Sequence, residues 1–278
     1  MPRLKPLWLS LSELSERARQ ADTLSLACDF DGTIVPIAEH PDQARLSTRT
    51  RELLDRLSRR DGVHLAVLSG RSLTDLEGLV AGNGHLFLAG AGGLETRDEE
   101  GRREMHVPPD YHMPETLRSS LEVWCQRFPG AWVEDKRAAY ALHYRAVAAA
   151  LQPAFGAGVR RRVRPFREQV QLVHGKRVFE IMPAVAWEKS AAVRLWLDKQ
   201  TGRGLFLYFG DDTNDEPVYG MVRERGGIAV AVGRTVSSAE YALPSPFEVV
   251  WFLEWLEREW RGPAADVEQG RERVSAGA

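Results

Sequence analysis

The chain has 278 residues, of which 44% are hydrophobic and 27% charged, and its formal net charge is −2. This composition is typical of a globular protein with one or two domains, and the charge argues against nucleic acid or an anionic membrane as the main partner. Two cysteines cannot form a disulfide framework, which predicts a reducing, cytoplasmic location, and no apolar run is long enough to span a bilayer.

Helices and short apolar strands alternate along the first ninety residues. Helices are predicted at 11–19, 48–57 and 73–80, and a strand follows each of them, at 23–28, 63–68 and 86–89. Ser10 and Glu13 predict a capping box at the start of the first helix. This alternation predicts a parallel sheet flanked by helices, with a ligand site outside the carboxyl ends of its strands.

The middle of the chain departs from this alternation. Helices are predicted at 114–128 and 147–163. Two strands are predicted after each helix, at 131–134 and 140–144 and then at 169–174 and 177–181. The order α-β-β-α-β-β predicts an inserted α+β cap domain at 108–182, with 1–107 and 183–278 forming the core. Alternation then resumes, with helices predicted at 190–199, 218–224 and 246–260 and strands at 205–209 and 227–232. The tail after Gly262 is predicted to fray.

Acidic and hydroxyl side chains follow two of the predicted core strands. Asp29 and Asp31 come after the first strand, and residues two apart on an extended chain point the same way. A carboxylate pair can supply a nucleophile, a general acid and base, or metal ligands. After the next strand, Ser69 and Arg71 flank a glycine, and the hydroxyl and nearby backbone N–H groups could hold phosphate oxygens.

A third acidic segment follows the strand at 205–209. Asp211, Asp212 and Asp215 would repel one another unless a cation lies among them, and ligation by oxygen alone favours Mg²⁺. Lys189, at the start of a predicted helix, could offset the charge of a phosphoryl group. Each motif alone is ordinary turn chemistry or a solvated lysine, but their order on one parallel α/β pattern favours a functional site.

Together these motifs resemble those of the haloacid-dehalogenase-like phosphatases. More narrowly, the chain resembles the trehalose-6-phosphate phosphatase family from about residue 24 to residue 256. The narrower resemblance is carried by DFDGTIVPI at 29–37, VEDK at 133–136, HYR at 143–145, the block at 175–183, GDDTNDE at 210–216 and the closing segments at 227–233 and 239–253.

The resemblance implies a Rossmann-like core and Mg²⁺-dependent hydrolysis of trehalose 6-phosphate to trehalose and phosphate, the last step of trehalose biosynthesis. Asp29 would attack phosphorus to form an aspartyl-phosphate, and Asp31 would act as general acid and then as general base. Mg²⁺ would be bound by the carboxylates of Asp29 and Asp211 and by the backbone carbonyl of Asp31, with Asp215 orienting this set from outside.

The resemblance also implies how a sugar phosphate is held. Ser69 and Lys189 would hold phosphoryl oxygens, and Arg71 would reach the phosphate or the sugar. The cap would close over the disaccharide and exclude water. Three charged residues of the cap would bind sugar hydroxyls, namely Glu134, Lys136 and Glu180.

Two departures from the family pattern bear on the sugar. Gly92 stands where the family usually has histidine, and Met182 replaces a usual basic residue. A phosphatase for sucrose phosphate or a glucosylglycerol phosphate therefore remains an alternative. A non-catalytic regulatory subunit of a trehalose-phosphate synthase is a second alternative, which the complete acidic set disfavours. The sequence gives no oligomeric state and is compatible with a monomer.

Overall fold

A computed structural model describes residues 4–38, 43–80, 85–175, 177–184 and 188–263, and within these residues thirteen strands form two sheets. The strands are β1 (Lys5–Pro6), β2 (Thr23–Asp29), β3 (Val63–Leu68), β4 (Leu86–Gly90), β5 (Glu95–Arg97), β6 (Arg103–Met105), β7 (Trp132–Asp135), β8 (Tyr140–His143), β9 (Val170–Gly175), β10 (Val178–Pro183), β11 (Gly204–Gly210), β12 (Ile228–Val232) and β13 (Tyr241–Leu243). The helices are α1 (Leu11–Gln20), α2 (Thr48–Ser58), α3 (Leu73–Leu79), α4 (Glu115–Cys125), α5 (Gln152–Val163), α6 (Lys189–Leu197), α7 (Glu216–Glu224) and α8 (Pro246–Glu259).

The larger sheet has the order β1-β13-β12-β11-β2-β3-β4-β5-β6 and is parallel from β1 to β4. Side chains of its central strands alternate between two apolar clusters. Leu24 and Leu26 of β2 lie in the cluster that α1, α2, α3 and α8 cover, whereas Ala27 lies in the one that α6 and α7 cover. Burial on both faces explains why these strands are almost continuously apolar in sequence.

The smaller sheet is antiparallel, with the order β7-β8-β10-β9, and α4 and α5 cover one face of it. This arrangement confirms the predicted fold class of a parallel-sheet core with an α+β cap. The described elements nearest the predicted domain boundaries are β6, which ends at Met105, α4, which begins at Glu115, and β10, which ends at Pro183. The boundaries at 107/108 and 182/183 stay predictions.

Several local predictions need correction. The side chain of Ser10 makes no capping hydrogen bond to α1, so the predicted capping box is wrong. Helix α5 begins at Gln152 rather than at residue 147, because the residues before it form a short 3-10 turn at Ala149–Leu151. Strands β1, β5, β6 and β13 were not predicted, since two or three residues carry no periodicity. Most of the tail after Gly262 lies outside the described residues.

Both cysteines are free and buried, Cys28 in the core and Cys125 in the cap. Burial raises the pKa of the Cys125 thiol to about 11, and it raises the pKa of Cys28 further still, so that neither is a thiolate at neutral pH. In the part of the chain that the structure describes, no helix is both long and apolar enough to cross a membrane. The cytoplasmic location stays a prediction.

Candidate active site

The carboxyl ends of β2, β3 and β11 bring three predicted site residues together. Strand β2 lies between β3 and β11 and runs parallel to both, with Asp29 aligned with Leu68 at the end of β3. Ser69 follows β3 directly, and Asp211 follows β11 directly. The polar residues after these three strands therefore meet at one edge of the sheet, as expected for an open parallel sheet.

A buried acidic cluster lies at this edge. Carboxylate oxygens of Asp29, Asp211 and Asp215 lie within 4.8 Å of one another, and all three residues are buried. Lys189, the first residue of α6, reaches into the cluster, and its Nζ donates to Asp29 Oδ1 at 2.5 Å and to Asp215 Oδ1 at 2.7 Å. Two of the three carboxylates, those of Asp29 and Asp215, thus share one ammonium group.

The charges in this cluster shift each other's titration. Burial raises the pKa of the Asp29 carboxyl well above its ordinary value, Lys189 opposes the rise, and Asp215 and Asp211 add to it. Burial alone would lower the pKa of Lys189, but the charges of Asp215 and Asp29 and its hydrogen bonds to both raise it. Lys189 therefore stays protonated, and the cluster still carries an excess of carboxylate.

Asp215 accepts four hydrogen bonds and so acts as the anchor of the cluster. Its Oδ1 accepts from Lys189 and from the hydroxyl of Tyr208 at 2.7 Å. Its Oδ2 accepts from the backbone N–H groups of Asp211 at 2.9 Å and Asp212 at 3.0 Å. Sequence reasoning missed Tyr208, although a tyrosine in a buried strand signals that its hydroxyl needs a partner.

The turn after Asp31 lies directly against Asp211. Gly32 has a φ of +92°, and a Cβ added to it would lie 2.0 Å from Asp211 Oδ2. Both the left-handed backbone and this close approach require glycine. The carboxylate of Asp211 is therefore held beside the backbone of residues 31 and 32.

This donor set fits a divalent cation that prefers oxygen. Asp29 and Asp211 offer carboxylate oxygens close together, and a positive ion would offset the repulsion that raises the pKa of Asp29. The carboxylate of Asp31 is not part of this close cluster. The contribution of the Asp31 backbone carbonyl to a metal site stays a prediction.

Arg71 clamps the carboxylate of Asp31. Its Nε donates to Oδ2 at 2.7 Å and its Nη2 to Oδ1 at 2.8 Å, which is the bidentate geometry that fixes a carboxylate plane. The hydroxyl of Ser69 donates to Asp31 Oδ2 at 3.4 Å and accepts from the backbone N–H of Arg71 at 3.1 Å. Arg71, which was expected to reach a phosphate or sugar, lies on Asp31 in this structure.

The three predicted cap residues form a charged group opposite the core. Lys136 Nζ lies 3.1 Å from Glu180 Oε1 and 3.9 Å from Glu134 Oε2. His143 Nε2 lies 2.8 Å from the same Glu134 oxygen. Burial would raise the pKa of Glu134, but the hydrogen bond with His143 and the charge of Lys136 lower it. The carboxylate of Glu134 is therefore a hydrogen-bond acceptor at neutral pH.

A cavity of about 360 Å³ lies between the acidic cluster of the core and the charged residues of the cap, and this volume is within the range of small-molecule sites. Eight of the predicted site residues line it, namely Asp29, Asp31, Ser69, Arg71, Glu134, Lys136, Glu180 and Asp211. Lys189 and Asp215 are not among its lining residues. They contact each other, and Lys189 also contacts Asp29. Lys189 was expected to hold phosphoryl oxygens, whereas here it holds two carboxylates.

The cavity also has lining residues that sequence reasoning did not place in the site. Trp132 stacks on the imidazole of His143, with ring centroids 4.1 Å apart and planes 15° apart. Arg145 and Arg177 add positive charge to the cap wall. The motif HYR at 143–145 marked two of these positions, but the sequence alone does not show which side of a cap strand faces the core.

Gly92 and Met182, the two departures from the family pattern, contact each other. Gly92 has a φ of +67°, and a Cβ added to it would lie 2.8 Å from Met182 Cε. Both lie at a small apolar junction between core and cap that contains Ala91, Leu94, Ala138 and Ala139. Neither residue lines the cavity. Both residues therefore pack where the cap meets the core.

Comparisons with known proteins agree with this geometry. A family model described as trehalose-phosphatase matches residues 27–246. Trehalose-phosphate phosphatase B of Arabidopsis thaliana is 28% identical over 273 residues, which cover 92% of this chain and 72% of that protein.

Two solved structures share the fold. The C-terminal domain of Candida albicans trehalose-6-phosphate phosphatase superposes with a TM-score of 0.80 at 22% identity, covering 88% of this chain and 95% of that one. The C-terminal domain of the Candida albicans trehalose synthase regulatory protein superposes with a TM-score of 0.68 at 13% identity, covering 90% and 99%. At these identities the two likenesses show the fold alone.

Proposed function

Because the chain belongs to the trehalose-phosphate phosphatase family of haloacid-dehalogenase-like hydrolases, we propose that it hydrolyses trehalose 6-phosphate to trehalose and phosphate. The family is one of phosphoric monoester hydrolases. The observation that carries the proposal is the shared cavity, in which core residues of phosphoryl chemistry face charged cap residues suited to sugar hydroxyls. A phosphorylated disaccharide needs both halves of such a site.

In the first step the carboxylate of Asp29 attacks phosphorus, and the bond from phosphorus to the sugar oxygen breaks. Asp31 gives a proton to that oxygen, so that trehalose leaves as an alcohol and an aspartyl-phosphate remains on Asp29. In the second step Asp31 takes a proton from water, which attacks phosphorus and releases phosphate. The position of both carboxylates on the cavity wall supports these roles.

Mg²⁺ would be held by Asp29, Asp211 and the backbone carbonyl of Asp31, within the acidic cluster that Asp215 anchors. When bound, this ion neutralises charge on the phosphoryl oxygens. Ser69 would bind a phosphoryl oxygen from the cavity wall. Lys189 would bind another, and in this role its contact with Asp29 keeps it beside the reacting group.

The cap at 108–182 would act as the specificity domain, with Glu134, Lys136 and Glu180 binding sugar hydroxyls. We expect Glu180→Ala, and separately Glu134→Ala, to lower kcat/KM for trehalose 6-phosphate by about 10- to 100-fold, since a hydrogen bond to a charged group contributes about 1.5–3 kcal/mol. Hydrolysis of p-nitrophenyl phosphate, which has no sugar, should change far less. Equal losses on both substrates would refute the role of these residues as sugar contacts.

The substrate is tested by phosphate release from a panel containing trehalose 6-phosphate, sucrose 6-phosphate, a glucosylglycerol phosphate and glucose 6-phosphate, with Mg²⁺ and with chelator. We expect kcat/KM for trehalose 6-phosphate to exceed that for glucose 6-phosphate about 100-fold, from the added contacts of the second ring. Chelator should abolish the activity. If trehalose 6-phosphate is no better than glucose 6-phosphate, the proposed substrate is wrong.

The same panel separates the two alternatives. Preference for sucrose phosphate or a glucosylglycerol phosphate would keep the chemistry and change the sugar. No release from any sugar phosphate would favour a non-catalytic regulatory subunit, a possibility that the fold alone leaves open because a regulatory protein shares it. The presence of Asp29, Asp31 and Asp211 around one cavity disfavours that alternative.

A further inference from the structure

Ser69, Gly70 and Arg71 form a short core loop, hereafter the arginine loop. The hydrogen bonds of this loop link the cap to Asp31, the proposed general acid and base. The carbonyl of Ser69 accepts from the backbone N–H of Gly92 at 3.0 Å, and the carbonyl of Arg71 accepts from the backbone N–H of Ala91 at 2.5 Å. The middle carbonyl, that of Gly70, accepts from Nζ of Lys136. Two partners belong to the core, whereas the third belongs to the cap.

The cap lies closely against the arginine loop at this point. A Cβ added to Gly70 would lie 2.5 Å from Glu180 Oε1, so the carboxylate of Glu180 lies directly against the backbone of this loop. Lys136 is ion-paired with Glu180, and only 5% of its side chain is exposed. Because its ammonium group has partners on both sides, the position of the Gly70 carbonyl is tied to the position of the cap.

The other side of the arginine loop contacts Asp31. Arg71 holds both carboxylate oxygens of Asp31, and Ser69 donates to one of them. A shift of the loop backbone therefore moves the groups that orient this carboxylate. The contacts run without a gap from Lys136 through the Gly70 carbonyl and Arg71 to Asp31.

We propose that Lys136 is a positioning residue for Asp31, so that the acid and base group is fully oriented only when the cap is closed on the arginine loop. The inference rests on the proposed function, which gives Asp31 its role, and it goes beyond the sugar contact expected of Lys136. It explains how closure over a disaccharide can promote proton transfer at the phosphate.

The test uses aryl phosphates, because they carry no sugar hydroxyls for Lys136 to bind. Phenolate is a poor leaving group that needs a proton from Asp31, whereas p-nitrophenolate is a good one that needs it much less. We expect Lys136→Met to raise the ratio of kcat/KM for p-nitrophenyl phosphate to kcat/KM for phenyl phosphate by about tenfold or more. An unchanged ratio would overturn the inference and leave Lys136 as a sugar contact only.

Two further variants separate positioning from general loosening of the cap. Arg145 also joins cap to core, through a backbone carbonyl on a different core segment, that of Ala38. Arg145→Met should therefore keep the wild-type ratio, and an equal rise there would overturn the inference. Arg71→Gln should reproduce the rise, and combining it with Lys136→Met should add little, as for residues in one chain of contacts. Additive effects would also overturn it.

Failure of this inference is distinguishable from failure of the proposed function. Asp31→Asn shows how far the ratio of kcat/KM for p-nitrophenyl phosphate to kcat/KM for phenyl phosphate rises when the general acid is lost. If Asp31→Asn leaves the ratio unchanged, Asp31 is not the acid, and both the proposed mechanism and the inference fail. If Asp31→Asn raises the ratio and neither Lys136→Met nor Arg71→Gln does, the inference alone fails. Should Lys136→Met not fold, as its circular dichroism would show, Arg71→Gln decides alone.

Discussion

Asp29→Asn is expected to lower kcat for phosphate release from trehalose 6-phosphate by about 10⁴-fold or more, because removal of a nucleophile leaves only binding and electrostatic effects. The amide has the same shape as the carboxylate but cannot attack phosphorus. It also removes one of the two carboxylates that Lys189 contacts. The measurement is steady-state phosphate release with saturating Mg²⁺ and substrate.

Folding and activity separate cleanly in this variant. Since burial and the charges of Asp215 and Asp211 disfavour an ionised Asp29, the neutral amide should leave the thermal midpoint unchanged or raise it. Asp198→Asn is a matched control, because Asp198 lies on the surface at the end of α6 and pairs with Arg225. It should keep full activity. Full activity of Asp29→Asn would contradict the assigned nucleophile.

Lys189→Met is expected to cost about 3–5 kcal/mol in the free energy of unfolding at pH 7, since it leaves buried carboxylates without their partner. Activity should fall about 10³-fold or more, because phosphoryl transfer depends on positive charge around the phosphoryl oxygens. Lys189 is only 4% exposed and contacts both Asp29 and Asp215. The measurement is chemical denaturation, with phosphate release assayed in parallel.

The loss in Lys189→Met should depend on pH in a defined direction. The pKa of Asp29 is raised in the folded state, and without Lys189 it rises further. Such a group binds its proton more tightly when folded, so that it favours folding at low pH and opposes it as pH rises. The cost should therefore be smaller at pH 5 than at pH 7.

A surface lysine gives the control for this pH dependence. Lys199 is about half exposed and lies 3.7 Å from Asp98, so Lys199→Met should cost less than about 0.5 kcal/mol. A similarly small cost for Lys189→Met at pH 7 would contradict the proposed charge balance of the cluster. A cost that grows on acidification would do the same.

Much of the fold was predictable because its central strands are buried on both faces. Apolar runs such as the one ending at Asp29 stand out in the sequence, and parallel strands place their carboxyl ends together. This is why Asp29, Ser69 and Asp211 could be expected at one edge. The two- and three-residue edge strands could not be found, since their pairing depends on the neighbouring strand rather than on their own sequence.

Side-chain contacts that depend on how a turn folds or on where the cap lies were not predictable. The hydrogen bond from Tyr208 to Asp215 depends on how the turn after β11 folds back over the strand, and that from Lys136 to Gly70 depends on where the cap lies. Gly92 and Met182 illustrate the same limit. The sequence shows them only as departures from the family pattern, and their packing on each other at the junction between core and cap is visible only in the structure.

In the proposed mechanism, Asp29 takes the phosphoryl group of trehalose 6-phosphate. The most direct test is to quench the enzyme during turnover with Mg²⁺, reduce any acyl phosphate with borohydride, and locate the reduced residue by peptide mass spectrometry. We expect reduction at Asp29 only when trehalose 6-phosphate is present, and none in Asp29→Asn. Reduction at a different carboxylate, with Asp29 unmodified while trehalose is released at the full rate, would contradict it.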